Sequence, residues 1–235
     1  MTTQTAPDRR TTTAPAAARP RRRCPWWVPS LVLLATEAQL LVAEYVPGID
    51  RFADKAFGAR LVAYPVLMLV VPAGWWLVHR RRRRSGGPSD TPPYGAFTLV
   101  MLGFLVDVTG NSLDLYDTVG WWDDANHLVN WVFLLGGIGL LLAPSVRPRW
   151  VLALLVTGLG ALLALAWELG EWFTFIRHGT ELATAYEDTL ADMALGTLGA
   201  LVAGLAVASR GRRASTARPA QPAGSSTPSV ARPAR

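Results

Sequence analysis

Six stretches of the chain are apolar over about the length of a membrane-crossing helix, and polar segments separate them. They run at roughly Trp26–Pro47, Leu61–His79, Gly95–Leu113, Ala125–Ala143, Trp150–Phe173 and Asp188–Ala208. A hydrocarbon core about 30 Å thick requires about 20 predominantly apolar residues in a helix. The pattern therefore predicts an all-α fold, a polytopic membrane bundle of six transmembrane helices. Arg21–Arg23 ahead of the first stretch resemble the start of a signal peptide. That stretch is longer than the usual apolar region of such a peptide and is interrupted by Glu37, so it reads as an uncleaved anchor.

The polar segments orient the bundle. Residues 1–24 and 210–235 are rich in Thr, Ala, Pro, Arg and Ser, and read as disordered basic tails around a transmembrane domain at 25–209. Six crossings put 1–24, 80–94, 144–149 and 210–235 on one side, with 19 of the 23 Lys and Arg residues. Only Arg51, Lys55, Arg60 and Arg177 fall on the other. The positive-inside rule then predicts cytoplasmic termini and a multi-pass protein of the plasma membrane. The run Arg80–Arg84 is the strongest anchor and reads as a contact with anionic lipid. Trp26, Trp27, Trp75, Trp76 and Trp150 form one interfacial belt, and Trp121, Trp122 and Trp172 the other.

Composition agrees with this frame. The 235 residues are 51% hydrophobic and 17% charged, against about 25% charged in soluble domains. The net charge of +6 does not point to nucleic acid, because the basic residues flank apolar runs and form no patch interleaved with aromatics. The single cysteine, Cys24, excludes an intrachain disulfide and a Cys-based zinc site. In span six Gly196, Ala200, Gly204 and Ala208 recur every four residues. Such a stripe admits another helix closely and offers a surface for a homo-oligomer.

The acidic residues carry the chemistry. Of 17 Asp and Glu, only Asp8 and Asp90 fall in the arginine-rich segments. Many of the others recur at helical spacings: Glu37 with Glu44, Asp107 with Asn111 and Asp114, Asp123 with His127 and Asn130, Glu168 with Glu171, Asp188 with Asp192. Residues three, four or seven apart share a helix face. In the predicted topology His127, Glu168, Glu171 and Asp192 lie at one depth in the outer half, surrounded by Asp123, Asp124 and Asp188. Glu37 and Asp107 are expected deeper, near mid-membrane, and span two contributes no carboxylate. A carboxylate in lipid costs at least about 2.5 kcal/mol, so these residues are expected to face a central cavity. So many acids cannot all be ionised together unless some are protonated or a cation binds among them. A divalent metal ion held by His127, Glu168, Glu171 and Asp192 is one resolution, with Asp107, Asn111, Asp123, Asp124 and Asp188 as the supporting polar cluster. The plainer alternative makes Asp123, Asp124 and Asp188 helix N-caps, Asp114 and Asp117 solvated loop residues, and the remainder a structural network.

Three motifs carry a family resemblance: Asp123-Asp124-Ala125-Asn126-His127, Glu168-Leu169-Gly170-Glu171-Trp172, and Asp188-Thr189-Leu190-Ala191-Asp192 followed by Gly196 and Gly199-Ala200. The segment Asp107 to Gly204 resembles the YjdF-type group of predicted bacterial multipass membrane proteins and is more distantly similar to the VanZ-like family. The VanZ-like pattern has Gln near Glu171 and Asn near Asp192, where this chain has acids. The resemblance implies a multipass fold and no defined activity. Three classes of function therefore stay open: a metal-dependent enzyme on a lipid or envelope substrate, a cation- or proton-coupled transporter, and a scaffold with a structural polar core.

Overall fold

A computed structural model describes residues 24–49, 52, 55–87, 90–174, 176–178 and 185–216. Six long helices hold the six apolar stretches: α1 Trp27–Tyr45, α2 Phe57–Arg84, α3 Tyr94–Ser112, α5 Trp122–Leu142, α6 Arg149–Thr174 and α7 Ala185–Thr216. A four-residue helix, α4 (Leu115–Thr118), and a single 3-10 turn, Ile176–His178, lie between them. There is no strand among the described residues. All six long helices have the length and apolar composition of membrane spans, so the bilayer is the protein's solvent. Of the tails expected at 1–24 and 210–235, residues 1–23 and 217–235 lie outside the described residues, while 210–216 are corrected to helix, since α7 continues past Ala208 to Thr216.

Helix ends follow local chemistry. Asp123 and Asp124 stand in the first turn of α5, and Glu187 and Asp188 in that of α7. Acids there oppose the positive end of the helix dipole. Arg81–Arg84 occupy the last turn of α2, and Arg147 and Arg149 donate to the Ala143 carbonyl at the end of α5, at 2.7 and 3.2 Å. The bundle thus has an acidic end, where α2, α5 and α7 begin, and an arginine-rich end, where α2 and α5 finish. The N-cap roles expected for Asp123, Asp124 and Asp188 are corrected here: Trp121 is the N-cap of α5, and α7 begins three residues before Asp188, so all three acids lie inside their helices.

The main packing runs α1–α3–α5–α7–α6, with α2 laid against α1 and α3. Two apolar cores result. One joins α1, α2 and α3 around Leu40, Tyr64, Met68 and Val108. The other joins α5, α6 and α7 around Leu135, Leu152, Val156 and Ala200. Trp167 packs against both. The small residues of α7 make the second core close-packed. A side chain at Gly196 would meet Trp131, one at Gly199 the Leu128 carbonyl, and one at Gly204 the Ala153 backbone. The expected use of Gly196, Ala200, Gly204 and Ala208 as an oligomer surface is therefore corrected: α5 and α6 of the same chain fill that stripe.

Candidate functional site

Between the two cores, at the acidic end, lies a cleft of about 470 Å³. Its apolar floor includes Val100, Phe104, Trp131 and Leu134. Its carboxylates come from five helices: Asp107 on α3, Asp117 on α4, Asp123 on α5, Glu171 on α6, and Asp188 and Asp192 on α7. Lys55, Arg60 and His127 also line it.

The α3 wall is a hydrogen-bond network centred on Asp107, whose far end, Asn130, keeps a buried Oδ1 without a partner among the described residues. Arg60 donates to its Oδ2 at 3.0 Å, and the Tyr64 hydroxyl donates to the same oxygen. Tyr116 donates to Oδ1 at 2.6 Å and Asn111 at 3.3 Å. Asn126 donates to the Tyr116 oxygen, and Asn130 donates to Asn126 at 2.8 Å. Burial, then the neighbouring Asp107 charge, push the Tyr116 phenol upward, so it remains a donor. Lys55 closes the rim, 2.5 Å from Asp114 and 2.7 Å from Asp117. Asp107 is thus tied to the first two turns of α2, and that helix supplies its counter-charge through Arg60. Asp114 and Asp117 are not merely solvated.

Among the described residues, the acids of the opposite wall form no ion pair with lysine or arginine. His127 stands between two carboxylates, with Nε2 3.6 Å from Asp123 Oδ1 and Nδ1 3.6 Å from Asp192 Oδ1. Asp192 is 5% exposed, His127 11% and Asp123 41%, so the ring bridges the interior and the cleft. One ligand atom from each of the three lies within 4.8 Å of the others. Glu171 faces the same space and accepts from the Trp167 indole at 3.0 Å.

Other expectations are redrawn. Glu168 is buried but does not line the cleft; it lies against Thr189 of α7. Asp124 is exposed outside it. Glu44 sits against Gly58 in the first turn of α2. Glu37 is also outside the lining, with Oε1 buried and without a hydrogen-bond partner among the described residues. Arg177, assigned from the sequence to the same side as Lys55 and Arg60, stacks on Phe173 at 5.2 Å. The cations that do enter are Lys55 and Arg60, assigned from the sequence to a connecting loop. Tyr64 and Tyr116 carried no sequence signal beyond their aromatic character.

These features define a multipass α-helical membrane protein with an acidic cleft at one end of its bundle. The chain belongs to the family described as "Predicted membrane protein (DUF2238)", whose model matches residues 38–213. This agrees with the YjdF-type resemblance; the VanZ-like likeness gains no support from it. Comparison with curated proteins and with solved structures gives no match.

Proposed function

We propose that the cleft binds a divalent cation at His127 and Asp123, with Asp192 orienting the His127 ring, and that the protein is a metal-dependent membrane enzyme acting on a lipid or envelope substrate. The carrying observation is the bracketing of His127 by two carboxylates at 3.6 Å. That separation is long for a hydrogen bond. It approaches the roughly 3–3.5 Å between two ligands that share an ion at 2.0–2.2 Å each. An ion shared by Nε2 and Asp123 leaves Nδ1–H to Asp192, the buried carboxylate that fixes the ring's tautomer and orientation. Two cations against six acids make the lining favour a positive ion. A bound ion supplies an activated water or polarises a phosphoryl or carbonyl oxygen.

Access supports an enzyme over a through-path. Below the cleft floor the α5–α6–α7 core is close-packed, with Leu135, Leu152 and Val156 fully buried. The arginine asymmetry of the sequence supports placing the cleft on the outer face of the plasma membrane, with both termini cytoplasmic. One observation favours the second reading, cation- or proton-coupled transport: the unpartnered buried oxygen of Glu37, midway along α1, is a group a relay would use.

The test is melting of the purified full chain in detergent with Mg²⁺, Mn²⁺, Zn²⁺ or Ca²⁺. An ion at about 100 times its Kd adds roughly 2.7 kcal/mol, a shift that H127A and D123N should abolish. No shift with any of the four ions rejects the metal site. Ion uptake into liposomes by the unmodified chain transfers the assignment to transport.

A further inference from the structure

The arginine-rich end carries a second cleft, of about 650 Å³, between the last turns of α2 and residues 90–92. α2 has 28 residues. At about 1.5 Å each it spans about 42 Å, more than a hydrocarbon core of about 30 Å, so its final turns stand in the headgroup layer. One face of α2 changes character along that rise. Leu69, Ala73, Trp76, Arg80 and Arg83 follow at spacings of four, three, four and three and share a stripe. Its first three residues are exposed, giving an acyl chain an apolar track that ends at the arginines.

The head of the stripe is preset. Arg80 lies over the Trp76 ring, 5.0 Å from its centroid, a stack that holds the guanidinium plane. Trp75 stacks on His79 with centroids 3.8 Å apart, and His79 Nε2 lies 3.0 Å from Asp90. The cleft's one carboxylate is thereby engaged, while Arg80, Arg83 and Arg84 line the remaining wall. Guanidinium groups match phosphate oxygens in number, charge and fork geometry.

We propose that this cleft is a binding site for an anionic phospholipid of the adjacent leaflet, its phosphate held by Arg80, Arg83 and Arg84 and its acyl chain lying along Leu69, Ala73 and Trp76. The site does not depend on the cation reading of the acidic end. Unlike a general attraction between basic residues and membrane, it distinguishes arginines of one run by the face they occupy.

The experiment uses the full chain in detergent, titrated with phosphatidylglycerol or phosphatidylcholine and read by native mass spectrometry as retained lipid, with inorganic phosphate as a separate arm. Phosphatidylglycerol should be retained in preference. R80Q/R83Q should weaken it about tenfold, equivalent to about 1.4 kcal/mol. R81Q/R82Q removes the same charge away from the stripe and should bind as the unmodified chain does. Equal loss in the two double variants, or no preference between the lipids, overturns the proposal. Inorganic phosphate binding as tightly as the lipid overturns the lipid assignment. If R80Q/R83Q does not fold, W76A, which keeps every charge, should still lower retention; unchanged retention there overturns the proposal as well.

Discussion

The two walls of the acidic cleft solve one electrostatic problem in opposite ways. Asp107 accepts from Arg60, Tyr64, Tyr116 and Asn111, so its wall is neutralised by the chain itself. Among the described residues, Asp123, Asp192, Asp188 and Glu171 have between them one histidine and one indole as close polar partners. A satisfied network positions helices, whereas an acidic wall short of cations leaves a demand for one. If the proposed cation site holds, the contrast separates the structural and functional readings of the acids by place, the first for the α3 wall and the second for the α5–α7 wall.

The largest expected effect comes from breaking the satisfied wall. Asp107→Ala strands Arg60 and two tyrosines in a half-buried setting. Removing one partner of such a pair costs about 3–5 kcal/mol, measurable as a fall in melting temperature without any ion. A loss below 1 kcal/mol would erase the distinction between the walls. On the other wall, Asp192→Asn relieves repulsion among acids while keeping size. Its melting without ions should match or exceed the unmodified protein, and its ion-dependent shift should vanish. A variant that melts well below wild type and keeps its ion response assigns Asp192 to the structural network.

The smallest effect belongs to the rim. Burial alone would lower the Lys55 pKa, but hydrogen bonds and charges from Asp114 and Asp117 overcome it and leave the value raised above 10.5. A cation whose pKa is higher folded than unfolded contributes its full stabilisation below about pH 10.5, and loses it as pH rises through the folded value. Asp117 is 64% exposed, so solvent limits the pair to at most about 1 kcal/mol. Lys55→Gln should therefore melt slightly lower at pH 8, and the difference should narrow above pH 10.5. A constant difference across that range removes the ion pair as its cause.

Much of the fold was legible because span length is a property of composition alone. Each apolar run became a helix, displaced at its ends by a few residues. One displacement matters. Span two was read from Leu61, but α2 begins at Phe57, which moves Arg60 from a loop into the first helical turn and against Asp107. The acid spacing puts His127, Glu168, Glu171 and Asp192 at one depth, with Asp123, Asp124 and Asp188 around them and Asp107 deeper; of these, all but Glu168 and Asp124 line the cleft. It could not resolve which of Glu168 and Glu171 faces the space, because that depends on the rotation of α6 against α7. Tyr64 and Tyr116 were hidden for another reason. An aromatic hydroxyl in a membrane protein has the same sequence signature whether it meets lipid headgroups or a buried carboxylate.

The position of α7 has a consequence for biogenesis. His127 is carried on the fourth span and Asp192 on the last, and the small-residue face of α7 is what docks the last span onto the fourth and fifth. During synthesis the fourth span enters the membrane with its histidine facing a vacancy that persists until nearly the whole chain has emerged. Assembly of the cleft therefore waits for α7, and a chain truncated before residue 185 would carry the residues of the Asp107 network while lacking the carboxylate that lies beside His127.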